Sequence, residues 1–151
     1  MVSSSVSTSS LWPPNHNLIN VGLAFTKSDN CDPAASVQVL VYGDEDDLDE
    51  GSGNFSPDAK NIAAGTLRLR SERSGDENGR VYLIVVKVTD AAGNVGFSCS
   101  TVVVPKSQSQ SDINSANAQA TAAKAFCLAN NGAAPSGYVV VGDGPTVGPK
   151  Q

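Results

Sequence analysis

Three stretches of this 151-residue chain gather oxygen-bearing side chains of the kind that loops use to hold a hard cation. Asp29, Asn30 and Asp32 surround Cys31, Asp90 and Asn94 bracket an Ala-Ala-Gly segment, and Asp44, Glu45, Asp46, Asp47, Asp49 and Glu50 form an acidic run. Calcium takes about six to eight oxygens, drawn from carboxylates and amide carbonyls. The first two groups are therefore candidate calcium ligands, provided that the intervening strands carry them to one end of the fold. The acidic run is not an EF-hand loop, because Leu48 stands where a ligand should be and no glycine follows at the sixth position. The competing expectation is ordinary turn chemistry, with Asp29 and Asp90 accepting backbone N–H bonds and the run forming a solvated loop.

Other site chemistries are scarce. A single histidine, His16, and three cysteines, Cys31, Cys99 and Cys127, exclude His-rich metal clusters and multi-cysteine zinc sites. No Gly-x-Ser-x-Gly elbow is present, and His16 would have to serve any nucleophile from beside Pro13 and Pro14. The segment GDGPTVGPK (142–150) has the glycines of a phosphate loop but not its Gly-Lys-Ser/Thr ending, and it follows no βα unit. Glu72, Glu77 and the acidic run supply no defined pair for glycoside hydrolysis. These readings argue against an enzyme. Trp12, the only tryptophan, is a weak candidate for stacking on a sugar ring, against simple packing at the edge of the fold. All four arginines fall between positions 68 and 80, and Arg68, Arg70 and Glu72 share one strand face, which suits cross-strand pairing with the acidic loop rather than binding of an anionic ligand.

The cysteines leave two pairings open. Cys31 and Cys99 both lie in the β-rich part of the chain, and a bridge between them would close a long loop and stabilise by a few kcal/mol through the unfolded state. Alternatively Cys127 pairs with one of the two and staples the C-terminal part to the rest.

The elements that must position these residues are mostly strands. Segments 18–26, 36–42, 66–72, 80–89 and 97–104 are rich in β-branched residues and are separated by turn chemistry, and a further strand is expected near 2–9. Leu67 and Leu69 alternate with Arg68 and Arg70, the period of a strand with one face on a core and the other in water. In 80–89 both alternating sets are apolar, so that strand should be central and covered on both faces. Asp90 to Asn94 reads as a hairpin loop. The stretch 43–65 is a long, acidic, Gly- and Ser-rich loop. About seven short strands at this spacing predict an all-β antiparallel sandwich over 1–105. Residues 106–151 form a tail: a polar linker, an Ala-rich helix over about 112–130 with Asp112 as its N-cap, and one more strand at Tyr138, Val139, Val140 and Val141.

Length and composition agree with one compact domain, since a chain of this size buries about 68–70% of its unfolded surface. The charged fraction is 17% and the net charge −5. An acidic field repels phosphate backbones and anionic lipid, so nucleic acid and membrane are poor partners. No apolar run is long enough to span a bilayer. The start MVSSSVSTSS lacks the basic and apolar regions of a signal peptide, so an exported chain is expected to have lost its leader.

The strings SLWPPNHNLINV (10–21), SDNCDP (28–33), LRLRSERSGDENGRVYLIVVKVTDAAGNV (67–95) and TVVVP (101–105) together resemble an immunoglobulin-like β-sandwich module akin to hyalin repeats, found mainly in secreted bacterial proteins. The resemblance covers roughly residues 3–105. It implies a non-catalytic extracellular module, commonly appended to hydrolases or arrayed in surface proteins, and leaves the tail to be read unaided. A free strand at Tyr138 to Val141 suits addition to an open sheet edge of another copy, and a repeated contact of that kind builds a filament. The expected function is therefore a secreted structural or adhesive module that associates with itself or with another extracellular protein. The alternative is a carbohydrate-binding accessory module that grips polysaccharide.

Overall fold

A computed structural model of the chain describes residues 1–27, 35–48 and 55–151. The β-branched runs become β1 (Val2–Ser5), β2 (Leu18–Asn20), β3 (Ala24–Lys27), β4 (Ser36–Gly43), β5 (Ala59–Lys60), β6 (Arg68–Arg70), β7 (Arg80–Thr89) and β8 (Val95–Val104). The helix α1 (Gln110–Ala129) and a short β9 (Val139–Val140) complete the described elements. The strands form three antiparallel sheets with orders β1-β3, β2-β6-β5 and β8-β7-β4-β9, so the chain is mostly β with one C-terminal helix.

β7 organises the interior. One alternating set, Tyr82, Ile84, Val86 and Val88, joins Leu11, Val21, Leu23, Leu67 and Leu69 in the main core. The other set meets the helix: Val81 packs with Val103 against Ala116, Ala120 and Ala123, while Leu83 and Val85 pack with Cys99 and Cys127. Both faces of this strand are thus covered, as its doubly apolar pattern requires.

Four sequence expectations change. The run expected as one strand over 18–26 splits at Gly22, whose φ of 64° few side chains adopt and where a Cβ would lie 2.0 Å from Ser7 Oγ. Its halves enter different sheets, β2 against β6 and β3 against β1. The helix starts earlier than Asp112: Ser109 is its N-cap and accepts from the Asp112 N–H at 3.2 Å, so the Asp112 carboxylate sits in the first turn, where it favours the helix dipole. The acidic stretch is not a solvated loop throughout, because Glu45, Asp47 and Asp58 are buried and β5 pairs with β6. Finally, Arg70 and Glu72 do not face water but are fully buried, for reasons given below.

The tail is locked to the strands. Cys99 lies on the helix-facing side of β8, opposite Val85, and bonds to Cys127 across a Cα separation of 6.4 Å. The pairing of Cys99 with Cys31 is therefore replaced by the staple to Cys127, and Cys31 falls outside the described residues. β9 pairs with the edge of β4 through Gly43–Val139 and Tyr42–Val140, continued by the Val141 N–H donating to the Val41 carbonyl at 3.0 Å.

Candidate functional site

The chemistry-bearing residues converge at the end of β4 and the start of β7. Gly43 ends β4 where a Cβ would sit 2.8 Å from the Glu45 carbonyl, so the chain turns back tightly and directs Glu45 inward. Its carboxylate accepts the Ser74 N–H and receives Arg80 Nε at 2.9 Å and Nη2 at 2.8 Å. Arg80 Nη1 donates to Asp58 Oδ2 at 2.5 Å and to the Tyr82 hydroxyl at 3.1 Å, and that hydroxyl donates to the Arg70 carbonyl. Arg70 donates to the Pro57, His16 and Lys150 carbonyls, with its Nε 3.3 Å from Asp58 Oδ1. Glu72 meets His16 Nδ1 at 2.5 Å, and the His16 ring stacks on Phe55. Arg70 and Arg80 thus meet carboxylates of the stretch 43–65 in the interior, whereas Arg68 bonds the Asn61 side chain at the surface.

Three carboxyls, Glu45, Asp58 and Glu72, thus surround two guanidiniums. Burial pushes Asp58 up to about 7 against the pull of Arg80, and burial also raises Glu72 against its bond to His16. Asp58 Oδ1, Glu72 Oε1, Arg80 Nη2 and the Ser56 hydroxyl make no hydrogen bond within the network, so Arg80 Nη2 meets Glu45 as an ion pair only.

The C-terminal segment seals this network. Asp47 accepts the N–H groups of Asp58, Gly142 and Gly144, and Lys150 offers its carbonyl to Arg70. Gly144 fits because a Cβ there would lie 2.7 Å from Asp47 Oδ2 and 2.9 Å from Ser56 Oγ. Gly142 and Gly144 therefore serve close packing around the buried Asp47 carboxylate.

Beside the network lies an open groove of about 640 Å³ between α1 and the turn before β7, lined by Asp44, Glu45, Glu77, Asn78, Gln119 and Tyr138 among others. Asp44 Oδ1 accepts the Val81 N–H at 2.8 Å, and burial pushes its carboxyl up to about 6. Tyr138 is raised to about 12, first by burial and then by the charge of Asp44. An apolar slot of about 370 Å³ continues the groove past Asp44, Gln119 and Tyr138 to Ala122, Phe126 and Pro135. The sequence named Asp44 and Tyr138, but the helix that brings them onto one groove is a non-local partner that no local pattern announces.

The remaining candidates are scattered. Asp90 and Asn94 close their own hairpin: Asp90 Oδ1 accepts the Asn94 N–H and Oδ2 accepts the Asn94 side-chain amide, both at 2.8 Å, and these bonds lower the Asp90 carboxyl. Asp29, Asn30 and Asp32 fall outside the described residues. Among the described residues, no group of three or more His, Cys, Asp or Glu side chains is arranged to hold a metal ion. Trp12 is 44% exposed, and Tyr138 to Val141 lie along β4 of their own chain. No described helix is long and apolar enough to cross a membrane.

Compared with models of known protein families, with curated proteins and with solved structures, the chain matches none.

Proposed function

We propose that the chain is a non-enzymatic, extracellular structural or adhesive module built on an immunoglobulin-like β-sandwich. The observation that carries this reading is how the interior charges are used. Arg70, Arg80, Glu45, Asp47 and Asp58 are buried and bonded to backbone groups or to one another, tying loops and the C-terminal segment to the strands. Groups so engaged hold architecture and are poorly placed to meet a substrate. The buried Cys99–Cys127 bond supports an oxidising compartment. The resemblance over 3–105 points the same way.

Self-assembly through the tail strand would be an exchange, in which β9 leaves β4 and pairs with β4 of a second copy. Light scattering and negative-stain imaging of the oxidised chain beside Val139→Pro test this step. Oligomers or filaments lost in the variant support adhesive assembly, and a monomer in both cases reduces the module to a spacer. Polysaccharide hydrolysis abolished by Asp44→Asn would overturn the non-enzymatic reading.

The exposed Trp12 favours a second reading, a module that binds polysaccharide through that ring. Retardation in a polysaccharide-containing gel, lost in Trp12→Ala, is its expected signature. Equal mobility with and without polysaccharide removes it.

A further inference from the structure

We propose that the groove between α1 and the turn before β7 binds an extended segment of a partner protein, seating a lysine or arginine side chain against Asp44 and Glu77 and a neighbouring apolar side chain beside Phe126. The first argument is charge. The groove carries Asp44, Glu45 and Glu77, and neither it nor the adjoining slot is lined by a lysine or arginine. Glu45 is satisfied from behind by Arg80 and Ser74, which leaves Asp44 and Glu77 as the carboxylates facing a ligand. Glu77 is exposed, whereas Asp44 is half-buried, with one oxygen on the Val81 N–H. A cation entering beside Asp44 offsets that lost hydration, which the neighbouring Arg80 charge and the Val81 N–H counter only in part, burial still holding the carboxyl up.

The second argument is the joining of polar and apolar halves. Asp44, Gln119 and Tyr138 line both cavities, so a ligand filling both carries its charge directly next to an apolar group. That is the pattern of a basic residue and an aliphatic one two positions on, which share a face of an extended peptide, and a lysine stem lies well along the wall between them. Phe126 presents its ring to the slot at 41% exposure. Gln119 is available to a peptide backbone, because its amide makes only long contacts of 3.3–3.4 Å to Asn78 and Ser115. A neutral saccharide would donate hydroxyls to the same carboxylates but would bring no positive charge to compensate them.

The test is an NMR titration of the ¹⁵N-labelled, oxidised chain with the peptide acetyl-Gly-Lys-Gly-Leu-Gly-amide. The same peptide with norleucine for lysine, and cello- and chito-oligosaccharides, form the control arms. Amide shifts are expected to cluster at Gly79, Gln119 and Gly137. Affinity should fall by roughly tenfold or more with norleucine, in Asp44→Asn and in Glu77→Gln, as loss of a charge-assisted contact requires. Asn at position 44 can still accept the Val81 N–H, and Glu77 lies on the surface, so both variants should fold, which their own spectra verify. Ala122→Trp, at an exposed helical position, should block the apolar half. Equal binding of the lysine and norleucine peptides, binding of the saccharides alone, or no shift at the groove with any ligand would each overturn the proposal.

Discussion

Arg80 donates to Glu45, Asp58 and Tyr82 with no exposed surface, and Arg70 is equally enclosed a few ångströms away. Buried ion pairs add little net stability, yet removing one partner leaves an uncompensated charge that costs about 3–5 kcal/mol. The balance here is tilted, because three carboxyls face two guanidiniums, and the resolved shifts of Asp44, Asp58 and Glu72 all run upward. A carboxyl whose folded value exceeds its unfolded value takes up protons on folding, so its neutral form favours the native state. From the ordinary value of 3.8 to the raised values of about 6 and about 7, stability is therefore expected to decline as the pH rises. The lowered Asp90 works in the opposite sense, but it lies on a surface hairpin and is screened by water. Urea midpoints measured from pH 4 to pH 7 check this, and midpoints that climb with pH would refute it. At this scale the concentration of arginine at 68–80 and of acid at 43–65 was legible, though within the acidic run it is Glu45 that forms an ion pair with an arginine. The burial of these groups was not legible, because the leucine–arginine alternation of β6 reports only which side a residue faces. What covers the Arg70 side is Pro57, His16 and Lys150, distant in sequence and invisible to any local period.

The helix shows the same limit one level up. Its existence was plain from an Ala-rich run closed by Asn130, Asn131 and Gly132, and the cap differs by three residues because Ser109, not Asp112, supplies the accepting oxygen. Where the helix docks was not written in its own pattern, since its buried face is Ala116, Ala120, Ala123 and Cys127, and alanines bury little area. The covalent bond must supply much of the attachment. Cys99 and Cys127 are 28 residues apart, and closing a loop of that size in the unfolded chain is worth about 3–4 kcal/mol in the chain-entropy model. The double variant Cys99→Ala, Cys127→Ala should lose about that much in chemical denaturation. Amide exchange in α1 should accelerate before exchange in β7, and an unchanged midpoint with a still-protected helix would show that packing alone holds it.

At the scale of the whole molecule, the division into a sandwich over 1–105 and a tail over 106–151 follows the change in composition at Pro105 but not the distribution of contacts. The pattern of β7 demanded cover on both faces, and the second cover comes from the tail itself: Ala116, Ala120 and Ala123 over Val81 and Val103, and Cys127 over Leu83 and Val85. The final residues then cross back to the first part of the chain. Gly142 and Gly144 bond to Asp47, the Lys150 carbonyl meets Arg70 while its ammonium meets the Asn15 carbonyl, and the Gln151 amide donates to the Ser56 carbonyl. Of these, Asp47, Ser56 and Arg70 are buried, and each left without its partner costs about 1–3 kcal/mol, against a total stability of about 5–15 kcal/mol for an ordinary domain. A fragment ending at Pro105 would also open the apolar helix-facing side of β7 and β8 to water. It should therefore bind a hydrophobic dye, give a poorly dispersed amide spectrum and lack a cooperative melt, whereas the full chain melts in one transition. If the fragment melts cooperatively with dispersed amides, the tail is an appendage that the sheet tolerates, and the groove at its edge becomes a contact between two separable units.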